Sequence, residues 1–181
     1  HSDDDGFDRN KRPQLCASCH GSPALGTENK GEAEYFSQVI HEKHKSKTDD
    51  CYKCHPGQQA KCHRGVMFSE GMECKDCHGT MERVAHSIDE LGRIPWINEP
   101  SCGDSDCHGN DYSENPNTLY RLSFGHGELF CSACHGSPHA ILPSSNQRDN
   151  RQSIKWQGSV GYLSKCEICH GYTPAEPGPH E

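Results

Sequence analysis

Apolar residues are thinly and irregularly spread along this chain of 181 residues, and only one stretch repeats them with helical spacing. From about Gly31 to Lys45, the residues Tyr35, Phe36, Val39 and Ile40 fall three and four apart on one face. His44 continues the row from Phe36 and Ile40, and His41 lies on the adjoining stripe. Shorter helical turns are predicted around Met81 to Ser87, carrying His86, and around Leu129 to Cys134. No alternation of apolar and polar residues extends beyond a few positions, so negligible β-sheet is expected. The longest apolar runs are also only a few residues, which predicts no membrane span and no signal peptide within this sequence.

Composition sharpens the difficulty this pattern poses. Leu, Ile, Val and Phe together number 24 of 181 residues and the net charge is -8, a balance that ordinarily places a chain among the disordered. If it folds, something besides aliphatic side chains must supply its interior. The 18 Gly and 11 Pro suit a mostly irregular chain of loops and short α-helices. We read residues 1–181 as a single domain with an N-terminal arm, 1–14, that is acidic at Asp3, Asp4, Asp5 and Asp8 and then basic at Arg9, Lys11 and Arg12. A soft division falls near residues 110–120, where Asn, Pro and Ser cluster. An acidic chain argues against nucleic acid as a partner.

The chemistry lies in a repeated string. Cys-x-x-Cys-His occurs at Cys16-Cys19-His20, Cys51-Cys54-His55, Cys74-Cys77-His78, Cys131-Cys134-His135 and Cys166-Cys169-His170, and a stretched copy stands at Cys102-Cys107-His108. Each reads as an attachment site for haem c. Two thiols add to the vinyl groups on one edge of a porphyrin, while the adjoining imidazole reaches the iron. A zinc ribbon also uses paired cysteines but needs no following histidine, and here every pair has one. A framework of disulfides would vary its spacings, whereas these pairs repeat one. Six porphyrins, each a large flat hydrophobe, would provide the missing interior as a stacked core. The proximal histidines lie 23 to 35 residues apart, so the repeats are binding units and not solenoid modules. Gly follows the proximal histidine in five of the six copies, Pro56 being the exception, and is expected to leave the attachment turn in a left-handed conformation.

The motif histidines His20, His55, His78, His108, His135 and His170 are the expected proximal ligands of iron. Eight others, His1, His41, His44, His63, His86, His126, His139 and His180, are candidate distal ligands, each with the alternative of a solvent-exposed side chain. With only three Met, bis-histidine ligation is expected, and it lowers the reduction potential relative to His/Met. Cys62 is the thirteenth cysteine and precedes His63. A seventh haem held through that single thiol would account for every Cys and His, but Gln59 stands where its first thiol should be. The alternatives make His63 a distal ligand with Cys62 free or bonded to a partner, or pair Cys62 with Cys51 or Cys54 through a long spacer.

From Cys16 to His180 the chain resembles the multihaem c-type cytochromes of bacterial and archaeal extracellular electron transfer. The likeness is carried most by Cys51-Tyr-Lys-Cys-His-Pro-Gly, Gly71-Met-Glu-Cys-Lys-Asp-Cys-His-Gly and Cys131-Ser-Ala-Cys-His-Gly-Ser-Pro-His-Ala. It departs from their pattern at Cys62-His63 and at the widened Cys102 motif. The resemblance implies a multihaem cytochrome architecture, and histidines placed like His139 and His180 that ligate a different haem of the same molecule. It also implies a periplasmic, cell-surface or extracellular address, reached by a secretion signal that once preceded His1. The expected function is electron transport through closely packed haems, with other redox proteins, copies of itself, or metal and mineral acceptors as partners. Related proteins form nanowires, and a homopolymer here would use His1 or His180 on a haem of the next subunit, the alternatives being a soluble periplasmic electron shuttle or a component of a larger complex. The competing class is a multihaem oxidoreductase with one open iron, but no Cys-x-x-Cys-Lys occurs and the histidine supply leaves no iron short of a ligand.

Overall fold

The two longest helices, of nine residues each, pack against one another, and only the second has a side-chain cap and a fully buried stripe. A computed structural model describes residues 8, 10, 13–57, 62–175 and 178–180. The candidate ligand His1, Gln59 in the place of a missing thiol, and most of the N-terminal arm lie outside them. Helix α1 (Phe36–His44) is shorter than its apolar spacing predicts. Gly31 has a positive φ of 59°, Tyr35 is extended, and the Phe36 amide donates to the Gly21 carbonyl instead of to a helical partner. The helix ends in His41, Lys43 and His44, cations or potential cations placed favourably at the carbonyl end.

After α2 (Val66–Ser69) and α3 (Cys74–His78), helix α4 (Met81–Asp89) outlasts its prediction by two residues. Thr80 caps it by accepting from the Arg83 amide, and the Met81 amide donates to Asp49 at 2.7 Å. Met81, Ala85 and Ile88 form its buried stripe, and α4 packs on α1. Helix α5 (Cys131–His135) begins later than predicted because Phe130 is extended, bridging to Phe124. The sequence pattern predicts neither α6 (Arg151–Gln157) nor α7 (Glu167–His170).

Among the described residues everything else is loop, turn or 3₁₀ turn, and two isolated bridges, Ser22 to Thr27 and Phe124 to Phe130, are all the strand pairing there is. No helix among them is long and apolar enough to cross a membrane. The buried apolar side chains are Met81, Ala85, Ile88, Tyr120, Ala140 and Leu142. The polypeptide exposes 13157 Å². A folded monomer of its 20.1 kDa would expose roughly 8,700 Å².

Candidate functional site

The motifs share one local structure. In the first, second and sixth, the histidine amide donates to the carbonyl of the first cysteine: His20 to Cys16 at 2.9 Å, His55 to Cys51 at 2.8 Å and His170 to Cys166 at 2.9 Å. In the third and fifth the five residues are one helical turn, α3 and α5. The stretched fourth motif makes the equivalent bond, His108 to Cys102 at 3.2 Å, across its two extra residues. Its opening is held by Glu114, whose carboxylate accepts from the Cys102 amide at 2.9 Å and the Ser101 hydroxyl at 2.7 Å. Burial works against that charge, but these bonds prevail and lower the Glu114 pKa.

Four of the five glycines that follow motif histidines, Gly79, Gly109, Gly136 and Gly171, have positive φ as expected. At Gly79, Gly109 and Gly136, ψ is near 180°, a region only glycine reaches readily. Gly21 differs. It is required by close approach, since a Cβ there would stand 2.5 Å from the Thr27 carbonyl oxygen.

The histidines come together in pairs of one kind. Ring centroids lie 6.1 Å apart for His41 and His55, 6.3 Å for His78 and His139, 5.7 Å for His126 and His170, and 5.8 Å for His135 and His180. Each pair joins a motif histidine to one outside the motifs. With metal–nitrogen bonds of about 2.0–2.1 Å and each ring nitrogen about 1.1 Å from its ring centre, imidazoles on opposite sides of one metal have centroids about 6.2 Å apart. The pairs at 6.1 and 6.3 Å match that spacing, and those at 5.7 and 5.8 Å fall about half an ångström short of it. For His126 and His170 the two Nε2 atoms lie 3.4 Å apart, closer than the roughly 4.0–4.2 Å between two nitrogens on opposite sides of one metal.

Other contacts fix which nitrogen is offered. Nδ1 of His20 meets the Glu34 carbonyl at 2.8 Å, Nδ1 of His41 the Ser37 carbonyl at 2.6 Å, and Nδ1 of His44 the Ile40 carbonyl at 2.7 Å. Nδ1 of His86 lies 3.1 Å from the Glu90 carboxylate. With Nδ1–H donating, Nε2 is left as the ring's lone-pair nitrogen, the one that would face a metal. Burial lowers the pKa of His41, His78 and His135, and a neighbouring imidazole lowers each further: His55, His139 and His180 respectively. They are held as neutral rings, the form that binds metal. Aromatic rings flank them, with Tyr162 5.5 Å from His135 and Tyr172 6.0 Å from His170.

One imidazole is contested. His139 is also 6.2 Å from His63, because the Arg64 amide donates to the His139 carbonyl and sets the two segments side by side. His63 packs on Phe68 at 5.3 Å, and burial followed by His139 lowers its pKa. Cys62 is half-buried and its amide donates to the Gly57 carbonyl. His44, His86 and His108 enter no such ring pair among the described residues, although His108 is near enough to His135 to help lower its pKa.

No two of the thirteen cysteines are joined in a disulfide. Burial raises the pKa of Cys51, Cys77 and Cys134, and a thiol of the next motif adds to each: Cys74, Cys107 and Cys169 respectively. Burial pushes Cys102 up to about 12, helped by Glu114. Among the described residues no group of three or more Cys, His, Asp or Glu is disposed around one metal, whereas a closed zinc site takes four. Sequence reasoning missed Glu114 and the carbonyls that fix Nδ1. Of these, only the Ser37–His41 and Ile40–His44 spacing of four was visible in advance.

No known protein family, curated protein or solved structure matches this chain.

Proposed function

We propose that the chain is a multihaem c-type cytochrome that carries electrons outside the cytoplasm through six covalently held, bis-histidine haem groups. Each haem iron supplies a one-electron Fe(III)/Fe(II) couple. The cysteine pairs would hold the porphyrins covalently, and the irons would be held by the motif histidines, joined by His41, His139, His180 and His126 for the second, third, fifth and sixth motifs. Two imidazoles on an iron exclude exchangeable ligands, which suits outer-sphere transfer and not substrate turnover. The observation that supports this reading is the four-fold pairing of a motif histidine with a non-motif histidine, two pairs at the ring spacing expected across one metal and two about half an ångström closer.

The protein matured with its haem-attachment machinery is expected to show intact mass for six haems, with Cys62 unmodified, and low-spin spectra that carbon monoxide does not alter. Colourless matured protein, with zinc or disulfides on the paired sulfurs, would overturn the proposal. A mass for seven haems would instead assign Cys62-His63 to a further site and reopen the ligation of His78.

A further inference from the structure

Helix α6 is built inside out. It buries Ser153 (0 % exposed) and Gln157 (5 %) and presents Ile154 (46 %) and Trp156 (56 %) to solvent, with Val160 (55 %) just beyond its end. Two shallow hollows of about 510 and 520 Å³ flank the helix, sharing Arg151 and Ile154 in their walls. The same segment is cationic in an acidic chain. From Ser144 to Lys165 it carries Arg148, Arg151, Lys155 and Lys165 against a single acid, Asp149, which is already paired with Arg64. The Lys155 ammonium lies 4.7 Å from the centre of the Trp156 ring.

The helix is braced as a rigid mount. The Asn150 side chain accepts from the Ser144 amide at 2.9 Å and donates to the Ser144 carbonyl at 2.6 Å, and the Ser144 hydroxyl donates to Asp149. On its buried side, Gln157 donates to the Tyr162 carbonyl at 3.0 Å and accepts from the Ser164 amide at 3.1 Å. The Leu163 amide then donates to the Cys134 carbonyl at 3.1 Å, and the Tyr162 ring packs on His135. The face therefore backs directly onto the fifth motif.

We propose that α6 is the docking platform for a separate acidic electron-transfer protein, whose carboxylates meet Arg148, Arg151 and Lys155 and whose apolar surface covers Ile154 and Trp156. This rests on the cytochrome reading and adds the partner to it. Aromatic and arginine anchors at the centre of a cationic rim are the composition of a charge-steered interface. The platform is one seven-residue helix, about 10 Å long. That suits the small, transient contacts of redox partners better than the larger area of a stable homodimer.

The test uses the haem-loaded protein with a reduced acidic [2Fe–2S] ferredoxin as probe, followed by stopped-flow absorbance. The second-order rate is expected to fall as ionic strength rises, although both proteins are acidic overall. Combined R148E, R151E and K155E is expected to cut the low-salt rate about tenfold and to remove that salt dependence. W156A lowers the rate while preserving it, and reduction by dithionite is unchanged in all variants. Identical salt dependence in the wild type and the charge-reversed protein would overturn the platform. So would protection of Trp156 from oxidative footprinting in the isolated haem-loaded monomer, or self-association that the charge reversal abolishes. Failure of dithionite to reduce any haem would fall instead on the cytochrome reading.

Discussion

At the scale of single residues, the decisive quantity is the supply of imidazoles around His139. It stands opposite His78 at a metal-spanning distance and beside His63 at almost the same one, yet one imidazole nitrogen serves one iron. The His78 pairing matches the other three in joining a motif histidine to a non-motif one, so on the proposed function His139 is assigned to the third motif in preference to His63. His139→Ala is accordingly expected to turn about one-sixth of the haem high-spin and able to bind carbon monoxide. His63→Ala leaves the iron of the third motif low-spin. Carbon monoxide difference spectra, normalised to total haem, distinguish the two. A carbon monoxide signal from His63→Ala, with none from His139→Ala, would exchange their roles. The sequence showed both residues as candidate ligands, but the choice depends on a backbone bond from Arg64 to His139, between residues 75 positions apart, and no local pattern announces that.

Among the elements, what could be read in advance follows how local the cause is. The motif turns were visible because the repeated spacing of two cysteines and a histidine marks them, and α4 only in part, because Ile88, which completes its buried stripe with Met81 and Ala85, lies beyond the turns expected from Met81 to Ser87. The start of α1 was hidden, since Gly31 and the distant Gly21 carbonyl set it. Helix α6 was hidden for the opposite reason: Ile154 and Trp156, two apart and both exposed, carry no helical stripe, and the helix is anchored by polar side chains. That anchoring makes its own prediction. The Arg64 guanidinium, reaching Asp149 at 2.5 and 3.1 Å, and the Ser144 hydroxyl hold the Asp149 carboxyl below its usual range. A lowered folded-state pKa contributes stability that is complete above the unfolded value and is lost as pH falls through the folded one. Asp149→Asn is expected to cost about 1–2 kcal/mol at pH 7, given a charge-assisted pair that is only partly exposed. The difference from wild type should shrink below about pH 4, where the unfolded carboxylate begins to protonate. Urea midpoints at pH 7 and pH 3 check it, and an undiminished difference at pH 3 would mean that Asp149 acts through shape and not charge.

For the whole molecule, surface is the governing term. The chain exposes about one and a half times the area of an ordinary monomer of its mass. Its side chains are not positioned to close that gap: Trp96, Tyr112, Phe124, Phe130, Tyr162 and Tyr172 are all exposed. Several line the histidines, with Tyr112 5.2 Å from His180 as well as Tyr162 and Tyr172 beside theirs. Apolar groups left facing the imidazole pairs are what a flat hydrophobic cofactor would cover, and their burial against it would replace the aliphatic core the sequence lacks. Thiols of successive motifs also influence one another, Cys51 with Cys74, Cys77 with Cys107 and Cys134 with Cys169, so these motifs adjoin in the fold. On the proposed function, folding and haem loading would be one event. The polypeptide made without haem attachment is expected to melt without a cooperative transition and to exchange its amide hydrogens almost unprotected, while the haem-loaded protein unfolds in a single sharp step. Hydrogen exchange on both forms measures the difference directly, and a haem-free chain that protects α1 and α4 as strongly as the loaded one would show that the helices, and not the cofactors, hold the molecule together.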